Sequence, residues 1–355
     1  MADQSSTPAK VEFLATKTVQ EQLTEGELLV PPPEYILKDG IPCPNASLEL
    51  MDVPIIDLGL LIPSSISVEE LDKLRSALTT RGCFQVINHG MTLEFLDKAR
   101  EITKQFFAMP VEEKQKYLRP VDDFEGYGND MVVSEQETLD WTDRLYLTAY
   151  PPDQRKLKLW PENPKSFRDT LDQYTSKLQV ITETVLKGMA RSLNLEEDCF
   201  VNMYGEQRKM DARFNLYPPC SRPDCVLGFK PHSDSSIITI ILQDKEVEGL
   251  QFMKDDQWFR APIVPEGLLI VVGDQIEILT NGLVKSPVHK VVINGEKERI
   301  SVAVFCVPDS ETEIEPFESL INESRPRLYK KLKNYVEIYF EHFLQGRRPI
   351  EAALI

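Results

Sequence analysis

Between about Asp211 and Val307 the chain breaks into nine short β-rich runs, ARFNLY, CVLGF, IITIILQ, GLQFM, QWFRA, LLIVVG, EILT, PVHKVVIN and RISVAVFCV, most of them separated by Gly, Pro, Asn or Asp. Such spacing predicts an antiparallel sandwich or barrel. Strand–helix alternation is missing, which argues against a doubly wound nucleotide fold.

Helix signals dominate the first 200 residues instead. A polar tail (1–10) leads into the short amphipathic segment VEFLATKTVQEQL (11–23), which the prolines at 31–33 break. VPIIDLGL (53–60) and CFQVINHG (83–90) read as strands. Between them, Ser67 and Glu70 form a capping box for a helix to about Arg81, stopped by Gly82. Thr92 opens a second helix, with Phe95, Leu96, Ala99, Ile102 and Phe106 on one face, and Pro110 ends it. A third helix is predicted from Asn163-Pro164, because Phe167, Leu171, Tyr174, Leu178, Ile181, Val185 and Met189 recur at helical spacing. After residue 308 an acidic loop precedes a last helix with Leu328, Leu332, Tyr335, Tyr339 and Phe343 on one side, ended by Gly346.

Composition narrows the function classes. The 355 residues carry a net charge of −17, so the basic face needed to wrap nucleic acid or coat an anionic membrane is not expected. No run reaches eighteen apolar residues, and the N-terminus has no apolar leader. Six scattered cysteines form no CxxC pair, and Cys220 and Cys225 lack a second pair for zinc. The expected location is the cytoplasm, with reduced thiols and with Asn45 and Asn322 unglycosylated.

Histidine is scarce, four in all, so histidine-based sites can be enumerated. His232 and Asp234 stand two apart in PHSDSS, and residues i and i+2 of a strand project to one face. His289, in another predicted strand, offers a third ligand. Two imidazoles and a carboxylate suit non-haem iron(II) with three open positions, and catalytic zinc as well. Arg299 and Ser301 share i, i+2 spacing and can grip a carboxylate, the arginine bidentately. That anchor favours a metal sharing a carboxylate-bearing cosubstrate.

These stretches, together with VPIIDL, GCFQVINHG, the DW at 140–141, ARFNLYPPC and GDQIEILTNGLVKSPVHKVV, resemble the plant 2-oxoglutarate- and Fe(II)-dependent dioxygenases over about residues 50–345. The PHSD spelling and the N-terminal pattern are similar to the specialised-metabolism branch that includes alkaloid O-demethylases and senescence-related oxygenases. The resemblance implies an α+β fold with a mainly β core, a double-stranded β-helix (jelly roll) flanked by N-terminal helices and a C-terminal helix. As one compact unit the chain divides into an N-terminal extension (1–50), a helical region (51–205), the jelly-roll core (206–310) and a closing helix (311–355).

His232, Asp234 and His289 would be the iron ligands and the catalytic centre. Arg299 and Ser301 would bind 2-oxoglutarate, assisted by Tyr217 and Asn215, with Arg213 nearby. By position Tyr127, Arg144, Tyr146, Phe305 and Val307 would line the substrate pocket. Flavonoid-oxidising relatives tend to carry glutamate at the position of Val307, so valine points to a more apolar or methylated compound. His89 would be a turn residue and His342 a packing one.

The implied function is hydroxylation or oxidative O-demethylation of a small specialised metabolite, with O2 consumed, 2-oxoglutarate decarboxylated to succinate and CO2, and ascorbate as reductant. Desaturation or ring closure at the same site, or a non-catalytic ligand-binding protein of the same fold, are the alternatives. No nucleic acid, membrane or obligate protein partner is implied.

Overall fold

Two sheets, one of eight strands and one of four, face each other in the computed structural model, which describes residues 17–25, 30–38, 40, 48–130 and 138–355. The polar tail, residues 11–16 of the amphipathic segment, Cys43 and Asn45 lie outside the described residues.

In chain order the elements are α1 (Val19–Glu25), β1 (Ile55–Asp57), α2 (Val68–Thr80), β2 (Cys83–Ile87), α3 (Leu93–Phe107), α4 (Val111–Gln115), β3 (Gly126–Gly128), β4 (Asp143–Tyr150), α5 (Phe167–Ser192) and α6 (Cys199–Tyr204). Then follow β5 (Lys209–Tyr217), β6 (Leu227–His232), β7 (Ile238–Gln243), β8 (Leu250–Lys254), β9 (Gln257–Arg260), β10 (Leu268–Val272), α7 (Asp274–Leu279), β11 (His289–Val292), β12 (Arg299–Val307) and α8 (Tyr335–Phe343). The large sheet runs β1-β2-β10-β7-β12-β5-β4-β3 and the small one β6-β11-β8-β9.

Local chemistry explains most boundaries. Ser67 caps α2 by accepting the Glu70 N–H, and Gly82, at φ +67°, takes the left-handed step beyond its end. The Glu70 carboxylate does not complete the capping box; it accepts the Asp57 N–H at 2.7 Å and so ties α2 to β1. Thr92 caps α3 in the same way, through the Phe95 N–H. On α5 all seven periodic apolar residues are buried. Each contributes roughly 1.5–3 kcal/mol on burial, which holds the helix against the outer face of the large sheet.

Four expectations are corrected. EILT is the end of α7, not a strand: β-branched residues here are overridden by a short helix that is buried on every side. The third helix begins at Phe167, because Pro164 first closes a turn by accepting the Phe167 N–H at 2.8 Å. The last helix begins only at Tyr335, since Leu332 bridges Ile314 as an extended residue and Asn334 is left-handed. Finally, the region before residue 205, expected to give strands only at 53–60 and 83–90, supplies β3 and β4 as well, so that β1 to β4 all join the large sheet, with β1 and β2 parallel across α2.

The two faces of the large sheet differ. Ile300, Val302, Val304 and Cys306 of β12 join Ala212, Phe214 and Leu216 of β5 in the core that α3 and α5 cover. The alternate residues of both strands face the small sheet. No described helix is long and apolar enough to cross a membrane.

Candidate functional site

Register aligns the inward residues of β12 and β5 in pairs. Arg299 lies opposite Tyr217, Ser301 opposite Asn215, Ala303 opposite Arg213, Phe305 opposite Asp211 and Val307 opposite Lys209. Period-two alternation therefore makes one continuous ladder, polar at the Arg299 end and open to a cavity at the Val307 end.

Across from the ladder, the small sheet brings His232, His289 and Phe252 into one row. His232 ends β6 and Asp234 lies two residues beyond it in the loop, so their convergence comes from the chain's turn and not from strand alternation. His232 Nε2 and His289 Nε2 stand 3.5 and 3.6 Å from Asp234 Oδ1. One ligand atom from each of the three residues lies within 4.8 Å of the other two.

Hydrogen bonds set the tautomers. His232 Nδ1 meets the Lys230 carbonyl at 2.8 Å and His289 Nδ1 meets the Pro287 carbonyl at 3.1 Å. A carbonyl only accepts, so each ring carries its proton on Nδ1 and aims a lone pair from Nε2 at Asp234. Burial, reinforced by His232, pushes His289 down to about 4, so it is a neutral donor at neutral pH. Burial works against the Asp234 charge, and the imidazoles hold its carboxyl low only in their protonated form, so with the rings neutral that support must come from a cation. Asp234 Oδ2 is buried with no hydrogen-bond partner. Two lone pairs and an unsatisfied carboxylate oxygen, converging in a dry place, are costly unless a cation sits among them. The donor set thus fits a divalent transition metal.

Two helices hold the loop that carries Asp234. The Tyr339 hydroxyl donates to the Ser233 carbonyl at 2.6 Å, and the Asp274 N–H to the Asp234 carbonyl at 2.7 Å. The Tyr335 hydroxyl donates to Asp274 Oδ2 at 2.8 Å, which links α8 to α7 behind the site.

Burial raises the Asp274 carboxyl to about 7, although the Tyr335 hydroxyl opposes the shift. With the folded value above the unfolded one, its stabilising contribution is complete below about pH 4 and vanishes as pH rises through about 7. An amide does not titrate there. The melting temperature of Asp274→Asn relative to wild type, measured on metal-free protein, is therefore expected to improve steadily from pH 5 to pH 8. A difference that stays constant with pH would contradict the assignment.

At the other end of the ladder Arg299 is 3% exposed, with its guanidinium over the Tyr217 ring at 5.1 Å. Its Nε and Nη1 have no hydrogen-bond partner. Beside it the Asn215 amide donates to Ser301 Oγ at 3.1 Å, and Arg213 Nε donates to Asn215 Oδ1 at 2.6 Å. Gly249 makes room: a Cβ there would lie 2.8 Å from Arg299 Cδ. A buried guanidinium with orphaned N–H groups is suited to an incoming carboxylate.

A cavity of about 390 Å³ opens between the ladder, the His232–Asp234 corner and α8. Tyr146, Phe305 and Val307 line it, and so does Arg213, which the resemblance had placed near the cosubstrate. Arg144 lines a smaller adjoining pocket and stands 5.4 Å from the Tyr146 ring. Tyr127 is corrected. It pairs with Leu145, points to the helix side of the sheet, is fully buried against Phe106 and Phe107, and does not line the cavity.

Sequence reasoning missed the aromatic wall of Phe229, Tyr339, Phe340 and Phe343, and the polar pair Lys209 and Asp211. The last two were available: Lys209 and Asp211 continue the i, i+2 series of Arg213, Asn215 and Tyr217. His89 sits in its turn, with Nε2 at 2.9 Å from the Glu266 carbonyl, and His342 meets the Ile338 carbonyl one helical turn back.

Two family profiles match the chain. Residues 53–163 match the N-terminal profile described as "non-haem dioxygenase in morphine synthesis", and residues 196–308 match the 2OG-Fe(II) oxygenase superfamily. Codeine O-demethylase of Papaver somniferum is 39% identical over 90% of this chain and 89% of its own length. Oxoglutarate-dependent flavonoid 7-O-demethylase 1 of Ocimum basilicum is 36% identical over 98% of this chain and 94% of its own. Among solved structures, JOX2 in complex with 2OG, Fe and JA superposes with a TM-score of 0.83 at 33% identity, covering 96% of this chain and 98% of that one.

Proposed function

This chain belongs to the 2OG-Fe(II) oxygenase superfamily, and from that premise we propose that His232, Asp234 and His289 hold its iron and that the aromatic cavity beside them takes its organic substrate. It is an enzyme with the jelly-roll fold, and it couples oxidation of a small molecule to decarboxylation of 2-oxoglutarate. The observation that carries the site assignment is the convergence of three donor atoms within 4.8 Å, one of their carboxylate oxygens otherwise unpaired, at the end of that cavity.

The chemistry supplied when iron(II), 2-oxoglutarate and O2 are bound is attack on a substrate C–H bond, with 2-oxoglutarate leaving as succinate and CO2. The remaining work falls to the protein. Lys230 and Pro287 carbonyls accept from Nδ1 of the two imidazoles and keep Nε2 of each aimed at the metal position. Arg299 and Ser301 hold the distal carboxylate of 2-oxoglutarate, with Tyr217 packed on the guanidinium and Asn215 fixed on Ser301. Arg213, whose Nε grips Asn215, positions that amide. Ascorbate would serve as reductant.

Phe229, Tyr339 and Phe343 crowd the His232 corner, with Phe229 edge-on to the His232 ring at 4.3 Å. Such a wall favours a flat, largely apolar ring compound. Hydroxylation of a ring-borne carbon, or of an O-methyl carbon that then leaves as formaldehyde, are outcomes of one C–H attack. The names of the two demethylase relatives support a methoxylated substrate. The same reading takes 206–310 as the catalytic core, needs no nucleic-acid or obligate protein partner, and assigns the chain a cytoplasmic setting.

The test is a metabolite screen with iron(II), 2-oxoglutarate and ascorbate. A product gaining one oxygen marks hydroxylation, one losing CH2 marks demethylation, and one losing two hydrogens marks desaturation. Succinate release should rise with the true substrate. If no organic compound ever alters it, the proposed substrate cavity is wrong.

A further inference from the structure

One arginine, Arg213, stands on the cavity wall proper, and its hydrogen-bonding edge is already filled from within the protein. Its Nη1 and Nη2 donate to the two carboxylate oxygens of Asp130 at 2.7 and 2.8 Å, a bidentate fork, while Nε is committed to Asn215. The sheet builds this pairing. β3 pairs with β4 so that Gly128 lies opposite Arg144, which in turn lies opposite Asn215 on β5, and Asp130 follows β3 by two residues. Arg144 Nε adds a third contact to the same carboxylate at 3.1 Å. The Arg213 guanidinium lies over the Phe229 ring at 4.6 Å, and that ring abuts His232.

A buried arginine facing a ligand cavity is otherwise the natural clamp for a substrate carboxylate. Here an acid entering the cavity meets a fork whose two parallel donors are taken. Binding would require displacing Asp130, itself half-buried, from both arginines and leaving one of two anions without a partner, or approaching Asp130 against like charge. Lys209, Asp211 and Asp309 also line the cavity and add no net positive charge, while Lys230 and Asp140 in the adjoining pocket add one charge of each sign.

We propose that Asp130 is a specificity-determining residue that excludes carboxylate-bearing substrates, so that the cavity accepts ring compounds uncharged at the Arg213 end. This rests on the cavity being the substrate site. Specificity of this kind comes from an unfavourable element set against the wrong ligand, as much as from contacts to the right one.

The test uses 2-naphthoate and its methyl ester, titrated calorimetrically under nitrogen into the full chain loaded with iron(II) and 2-oxoglutarate. Wild type should bind the ester at least ~10-fold more tightly than the acid, because like-charge juxtaposition is strongly unfavourable. In Asp130→Asn the acid should gain ~10-fold or more while the ester stays within ~2-fold. The gain should shrink in the double variant Asp130→Asn, Arg213→Gln, which lacks the cavity-lining guanidinium and keeps only that of Arg144 beside the vacated position. Absence of ester binding, equal affinity for the two probes in wild type, or an acid that gains nothing in Asp130→Asn each overturns the proposal. Should Asp130→Asn fail to fold, the wild-type preference alone decides. Titration of 2-oxoglutarate into parallel samples that carry iron(II) alone reports separately on the site. Its failure overturns the site reading and this inference with it, whereas normal 2-oxoglutarate binding without charge discrimination overturns this inference alone.

Discussion

Asp234→Ala is expected to abolish the weak visible band that develops when iron(II) and then 2-oxoglutarate are added to the protein without oxygen. Asp234 is the one anion in the donor set; His289 is neutral, and both rings are held with Nε2 bare. Without it two imidazoles remain, carrying no charge to balance the metal. Substitutions that only touch metal ligands from behind already cost 10–100-fold in affinity, so loss of a direct ligand should exceed ~100-fold and take turnover to background.

A second readout separates function from structure. The Asp234 carboxylate is buried with one oxygen unpaired, an arrangement that lowers the stability of the metal-free chain. Metal-free Asp234→Ala should therefore melt no lower than wild type, and only wild type should gain melting temperature on addition of iron(II). A variant that keeps the band, or gains as much as wild type on metal addition, would sink the iron assignment.

Arg299 should govern 2-oxoglutarate and leave the metal alone. The cosubstrate is a dianion approaching a chain of net charge −17. Physiological salt screens that repulsion beyond about 8 Å, so capture depends on a local cation, and Arg299 is buried at the polar end of the ladder with two orphaned nitrogens. Breaking a buried charge pair costs roughly 3–5 kcal/mol, and each 1.4 kcal/mol is about tenfold. Arg299→Leu is then expected to raise the KM for 2-oxoglutarate ~100- to 4000-fold. Arg299→Lys keeps the charge and loses the planar fork, so its rise should be smaller, ~10- to 100-fold. Iron affinity, read by the melting shift, should change less than ~2-fold in both. An unchanged KM in Arg299→Lys would refute the role.

Much of this site was legible because its spacings obey strand geometry. Arg299, Ser301, Phe305 and Val307 share one face of β12, and Asn215, Arg213 and Tyr217 one face of β5, by simple period-two alternation. Tyr127 failed for the same reason in reverse. It lies one residue out of phase with Gly126 and Gly128, which oppose Tyr146 and Arg144, and a shift of one residue sends a side chain to the opposite face. The aromatic wall was not readable at all. Phe229 lies on β6 and Phe343 on α8, and nothing local records that they meet. EILT went astray because a short apolar run has no period strong enough to separate strand from buried helix.

Sequence alone therefore determined the residue types, their alternation and the chemical class of the donors: two imidazoles, a carboxylate and a carboxylate anchor within one β-rich block. Tertiary structure decided what those residues do to one another. It joined β3 and β4 to the same sheet as β5 and β12, and so set Asp130 against Arg213 across 83 positions of chain. It also folded α8 back over the cavity, with Tyr339 on the Ser233 carbonyl. The physical reason is that alternation and capping act over a few residues, whereas strand order, register and the orphaning of a buried polar atom arise only when distant segments exclude water together.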